Sequence, residues 1–300
     1  MRLFPFFCFA LAAAGLEPGS LPRAWRTGGP KCAEVPAWQV HEYNADFFIL
    51  RESGCTPYEK PFLYLIFGRD RALLEDTGAG DVKTAGIVME LVAGWSKKHN
   101  RASPPLLVLH SHSHGDHVAG DAQFAGLPNV QVVKAAAPDI QQALGLRNWP
   151  AGLGQIDLGE RVVDVIPIPG HDTAGLAFYD RRTGVLLTGD SFYPGRLYVG
   201  ESAFAEFTAS HQRLVDFTRD KPVAHILGTH IEQTRTPFVD YPRGTAYQPD
   251  EAPLELSRGD LLELNEAIIG LKGKLAKVEL RSLTLSPRAP DPRPLPAKPE

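Results

Sequence analysis

Short apolar runs, set off by Gly, Pro and charged residues, dominate the chain, and their lengths suit strands more often than long helices. After a Pro- and Gly-rich lead-in over 18–38, regular structure is predicted to begin at DFFILRE (46–52). PFLYLIFG (61–68) and RALLEDTG (71–78) read as two strands joined by a turn at Gly68, Arg69 and Asp70. DVKTAGIVMELVAGWSKKH (81–99) spaces Ile87, Leu91, Val92 and Trp95 at helical intervals and ends in basic residues, the signature of an amphipathic helix. LLVLH (106–110) and VQVVK (130–134) are short strands, followed by RVVDVIPI (161–168), GLAFYD (175–180) and VLLTGD (185–190). A helix is predicted over 204–220, a strand at AHILGTH (224–230) and a last helix over 256–274. Hairpins at the front and alternating strands and helices through the middle favour layered α/β structure over a barrel or a helical bundle.

Both ends of the chain differ from this pattern. Arg2 precedes LFPFFCFALAAAG, too short to span a bilayer but apolar enough, and ending in small enough residues, for a secretory signal peptide. We expect residues 1–24 to be signal and lead-in, 25–285 one catalytic domain, and 286–300 a disordered Pro-rich tail. The expected location is therefore exported, periplasmic or secreted, with no membrane span in the mature chain. Cys32 and Cys55 would remain after cleavage; they either pair or are two separate buried thiols. A net charge of −4 without a long basic run argues against a nucleic-acid partner and for a small-molecule one.

Chemistry concentrates at HSHSHGDH (110–117), where four of the ten histidines fall within eight positions at a strand end. In an extended segment residues two apart share a side, so His112 and His114 can converge on one cation. Gly115 lets the backbone turn, and Asp116 and His117 then serve a different position. Neither coordination shell is complete within the loop. Three later strand ends offer completing groups: His171 in PIPGHDTAG, Asp190 in LLTGDSFY and His230 in HILGTHIE. His225 lies on the same apparent strand as His230 and could replace it. His110 reads as a strand-end residue outside the metal set, and His41, His99 and His211 as surface or packing residues.

HSHGDH, with GH at 170–171, GD at 189–190, TH at 229–230 and EDTG at 75–78, resembles the metallo-β-lactamase superfamily over about residues 45–235. That resemblance implies a four-layer αβ/βα sandwich with its site at one edge of two facing sheets. It also implies that His112, His114 and His171 hold one ion, that Asp116, His117 and His230 hold a second, and that Asp190 bridges. Asp76 would orient the histidine loop from beneath. Imidazole and carboxylate ligands suit two Zn2+, with Fe or Mn possible. Ions about 3.5–4 Å apart would hold a bridging hydroxide for hydrolysis, with Asp116 carrying a proton.

In GDSFYPGRLYVG, Tyr193 stands where lactonases of the superfamily carry a tyrosine near the substrate carbonyl. Arg196 and Tyr198 are similar to the glutathione-contacting residues of glyoxalase II. The expected activity is thus hydrolysis of a small ester, thioester or lactone, with Tyr193 catalytic and Tyr193, Arg196 and Tyr198 binding substrate. The alternatives are a mononuclear iron oxidoreductase like the persulfide dioxygenases, a β-lactamase or phosphodiesterase of the same fold, or an export-pathway binding protein with a structural metal.

Overall fold

Alternation along β-strands sorts most of the apolar residues into three cores. The computed structural model describes residues 15–288, apart from 30, 33, 34 and 81; the predicted signal peptide falls largely in residues 1–14, outside the described residues. Strands β1 (Trp38–Asn44), β2 (Phe47–Glu52), β3 (Phe62–Phe67) and β4 (Ala72–Glu75) form an antiparallel meander. Helix α1 (Thr84–Lys98) then crosses over to β5 (Leu106–Leu109), which runs parallel to β4, and β6 (Val130–Val132) follows in parallel. A second sheet comprises β7 (Gly154–Asp157), β8 (Val162–Pro167), β9 (Leu176–Asp180), β10 (Val185–Leu187), β12 (His225–Leu227) and β13 (Glu255–Leu256), in the order β13-β12-β10-β9-β8-β7. Short helices α2 (Gly115–Val118) and α3 (Asp121–Phe124) lie between β5 and β6 of the first sheet, and α4 (Ala137–Leu144) lies on the connection from β6 to β7 of the second. Between β10 and β12 lie β11 (Arg196–Val199) and α5 (Phe204–Thr218). The chain finishes with α6 (Arg258–Gly270), β14 (Val278–Glu279) and β15 (Thr284–Pro287).

On β3, Phe62, Tyr64 and Ile66 enter the core between the sheets, whereas Leu63, Leu65 and Phe67 face α1. On β10, Val185 and Leu187 point inwards and Leu186 packs under α5 and α6. Helix, sheet, sheet and helix thus make the expected four-layer αβ/βα sandwich. Helix α1 buries Val88, Val92 and Trp95, each worth about 1.5–3 kcal/mol, with Trp95 stacked on Phe67 at 4.7 Å. Ile87 and Leu91, counted on the core stripe from sequence, are only partly buried at its margin.

Six strands escaped the sequence pattern: β1, β7, β11, β13, β14 and β15. β1 (WQVHEYN) and β7 (GQID) are sheet edges, where one side meets solvent and polar residues replace the apolar run. Over β11 the sequence pattern assigns no element. β15 lies at the expected start of the loose tail, yet it pairs in parallel with β11 and so places Ser286 and Pro287 in a sheet. Residues 289–300 lie outside the described residues. The lead-in is irregular as expected, with Trp25 edge-on to Phe62 at 4.9 Å. Cys32 and Cys55 form a disulfide, anchoring the lead-in to the segment between β2 and β3.

Candidate metal centre

The candidate ligands all lie just beyond the C-terminal ends of β5, β8, β10 and β12, which share one edge of the sandwich. After β5 the chain bends at Ser111, Ser113 and His114, the last with extended dihedrals (φ −67°, ψ 153°), and brings His112 Nε2 to 2.9 Å from His114 Nδ1. Helix α2 then starts, and its single turn carries Asp116 and His117 to a separate place. Gly115 needs no special backbone for this: its φ is not positive, and a Cβ there would meet nothing within 4 Å. The expected glycine-dependent bend is therefore a helix start with His114 at the N-cap.

Two other glycines do matter. Gly189, at φ +52°, lets Asp190 approach β5 so closely that a Cβ would sit 2.6 Å from Ser111 Cβ. Gly170, at φ +142°, passes so close to α5 that a Cβ would lie 2.5 Å from Phe207 Cα. Both substitutions would displace the ligand-bearing residue that follows.

Two groups result. His112, His114, His171 and Asp190 present ligand atoms within 4.8 Å of one another, as do Asp116, His117 and His230. The two oxygens of Asp190 divide between them. Oδ2 lies 3.5 Å from His171 Nε2 and 3.7 Å from His112 Nε2, while Oδ1 lies 3.2 Å from His230 Nε2 and 3.6 Å from His117 Nε2. Asp116 Oδ2 closes the second group at 3.2 Å from His117 Nε2 and 3.3 Å from His230 Nε2. His225 belongs to neither group; it packs edge-on to Tyr43.

The nitrogens turned away from the centre are held by the fold, which fixes each ring's orientation. His117 Nδ1 lies 2.8 Å from Asp76 Oδ2, His171 Nδ1 3.0 Å from the Tyr198 carbonyl, and His230 Nδ1 2.8 Å from the Glu59 carbonyl. Asp76 also accepts from the Ser111 amide and hydroxyl, both at 2.7 Å, and Ser111 Oγ in turn meets His112 Nδ1 at 3.0 Å. One buried carboxylate at φ +67° thus ties His112 and His117 to the end of β4. Thr229 donates to Asp190 Oδ1. His110, outside both groups, is buried between Asp76 and Asp121; burial opposes its charge, but these carboxylates raise it to about 9.

Electrostatics divides the groups differently. Burial dominates at His112, His114 and His171, pushing all three down, His171 to about 4, so they are neutral bases at physiological pH. At His230 burial is overcome by Asp190 and Asp116, which raise it to about 10, and at His117 by Asp116, Asp76 and Asp190. Burial would raise Asp190 itself, but His230, His112 and His117 hold it well below the carboxylate range. The carboxylates thus draw positive charge onto His117 and His230, a charge that bound cations would supply in place of protons.

The donor set fits metal cations. His112 Nε2 and His171 Nε2 both face His114 Nδ1, the latter at 3.1 Å, and His117 Nε2 faces His230 Nε2 at 3.4 Å. With Nδ1 of His112 and His171 engaged by Ser111 and the Tyr198 carbonyl, and Nδ1 of His117 and His230 by Asp76 and the Glu59 carbonyl, the Nε2 atoms turned inwards are the ones that would take metal cations.

These groups form one wall of a pocket of about 170 Å³, also lined by Tyr58, Lys60, Tyr193, Arg196, Tyr198 and Arg243. Tyr193 stands against His230, ring centroids 5.6 Å apart, but its hydroxyl donates to the Arg196 carbonyl at 2.5 Å, with Glu232 Oε2 at 3.1 Å. Its proton is directed along the pocket wall, which the side chain braces. Arg196, also on this wall, donates to Glu232 at 2.9 Å and to the Tyr241 carbonyl at 2.7 Å. Tyr198 lines the pocket as expected, and its carbonyl also orients His171. Sequence reasoning missed Glu59, Lys60, Glu232 and Arg243, which carry no local motif. Ser111 and Thr229 adjoin quoted ligands and were within reach of it.

Comparisons with known proteins agree with this geometry. Residues 61–269 match the family model of the metallo-beta-lactamase superfamily. The acyl-coenzyme A thioesterase MBLAC2 of Bos taurus is 23% identical over 65% of this chain and 81% of its own length. A hydroxyacylglutathione hydrolase from Cereibacter sphaeroides is 34% identical, but over 42% of this chain and only 48% of that enzyme. The metallo-beta-lactamase FIM-1 from Pseudomonas aeruginosa, in its mono-zinc form, shares the fold at a TM-score of 0.52 and 14% identity, covering 79% of this chain and 97% of its own.

Proposed function

The chain belongs to the metallo-β-lactamase superfamily, and from that premise we propose that it is a dinuclear zinc hydrolase of small ester-like substrates, thioesters first. The observation that carries this reading is the division of Asp190, one oxygen towards each histidine group. The similarity to an acyl-coenzyme A thioesterase and to hydroxyacylglutathione hydrolases supports the thioester.

In this reading His112, His114 and His171 would hold one ion and Asp116, His117 and His230 the other, with Asp190 contributing an oxygen towards each group. When bound, the ions supply a hydroxide near neutral pH and polarise the substrate carbonyl. Asp116, on the pocket wall, accepts the attacking water's proton and holds it for the leaving group. Tyr193 and Tyr198 shape the space beside the reacting carbonyl.

Export belongs to the same proposal. It is supported by the Arg2-led apolar start and by a disulfide that an oxidising compartment would preserve. Among the described residues no helix is long and apolar enough to cross a membrane.

Metal analysis of purified protein, followed by a panel of thioesters, lactones, β-lactams and phosphodiesters, tests the activity. Two zinc ions per chain with thioester turnover are expected; one iron with oxygen consumption would overturn the reading. Asp190→Ala should lower metal stoichiometry and cut turnover by about 100-fold or more. N-terminal sequencing of the secreted or periplasmic fraction checks export.

A further inference from the structure

Lys60 is the most deeply buried cation lining the pocket: 2% exposed, it makes no ion pair within 4.0 Å among the described residues, and the Glu251, Glu232 and Glu59 carboxylates act on it only from further away. Its Nζ donates to the carbonyls of Tyr58 at 2.6 Å and Thr245 at 2.8 Å. An ammonium has three protons, so one remains for the pocket. Burying a charge without a counter-ion is costly, and burial together with the neighbouring Arg51 lowers Lys60 to about 8. Two carbonyl dipoles hold the ammonium in place without neutralising it.

Other cations stand round the same mouth. Arg243 is exposed beside the Tyr58 hydroxyl. Arg288, carried there by β15, is exposed and has no carboxylate partner among the described residues. Three separate elements therefore bring positive charge to one opening. The fourth cation, Arg196, is neutralised by Glu232 and contributes little.

We propose that Lys60, with Arg243 and Arg288 at the rim, forms an anion subsite that makes the enzyme selective for thioesters carrying a carboxylate or phosphate group. The inference rests on the hydrolase reading for its substrate, but not for its binding chemistry. A substrate oxyanion at Lys60 supplies the missing counter-ion, so pairing there is a charge-assisted hydrogen bond in a largely dehydrated place.

The test compares S-acetyl-2-mercaptoethanol with S-acetyl-3-mercaptopropionate, matched thioesters that differ in a carboxylate. The wild-type zinc enzyme should prefer the anionic one by about 10-fold or more in kcat/KM, mostly through KM. Lys60→Met should reduce that ratio to within about twofold of unity, and Lys60→Arg should restore part of it. Arg243→Ala, an exposed change that leaves the core intact, should reduce the ratio partially. A wild-type ratio near one, or one unchanged in Lys60→Met, overturns the subsite.

If neither thioester is hydrolysed, the thioesterase reading fails and equilibrium binding decides the subsite. Calorimetry of succinate and of inorganic phosphate against EDTA-treated protein should show about 10-fold weaker binding in Lys60→Met for the anion the subsite takes. Equal affinities for both anions in wild type and variant would overturn it.

Discussion

Asp76 shows how much one side chain organises. It holds the Ser111 amide, the Ser111 hydroxyl and His117 Nδ1 together, so both histidine groups depend on a carboxylate that reaches neither centre. Asp76→Asn should weaken metal binding by about 10–100-fold, as loss of such a partner does elsewhere, measurable by competition with a chelating dye. Lys60 gives a pH prediction. Its proton leaves near 8 in the folded protein but near 10.5 in the unfolded chain. Between those values the unfolded state binds more protons, so this group favours folding increasingly as pH rises. Urea midpoints measured from pH 7.5 to 10 should show the wild type gaining on Lys60→Met across that window. A constant difference would place the ammonium in water.

Elements position these residues, and the informative ones are helices that clamp strands. Trp95 on α1 stacks on Phe67 of β3 and on His99, and its indole donates to Asp46 at 2.8 Å. Trp95→Ala should cost about 3–5 kcal/mol, by chemical denaturation, for a cavity between helix and sheet. Helix α1 was legible because its apolar stripe repeats at helical spacing, and the inner strands because both faces are buried and their runs are continuous. β1, β7, β11 and β15 were not. Their partners come from distant sequence, and an edge or a Pro-rich end carries no periodic signal of its own.

Across the whole molecule, buried ion pairs join regions that no single element connects. Arg161 pairs with Asp180 through both guanidinium arms, Nε at 3.0 Å and Nη2 at 2.5 Å, and its Nη1 reaches the carbonyls of Asp46 and Phe67 on the facing sheet. Arg161→Met leaves Asp180 buried without its charge partner and should destabilise by about 3–5 kcal/mol, read from denaturant midpoints. Arg51 and Glu251, 200 residues apart, make a similar buried pair beside Lys60.

By itself the sequence determined the layered class, most inner strands and the seven metal-type residues, because strand alternation and ligand chemistry are local properties. It also placed Asp76 beneath the histidine loop through its motif. Only the tertiary structure decided that Asp190 divides its oxygens between two groups and that the Tyr193 and Arg196 side chains are already engaged. It likewise brought the Lys60 ammonium to the pocket on two backbone carbonyls. Those facts depend on distances between segments far apart in the chain, and spacing along one segment does not encode them.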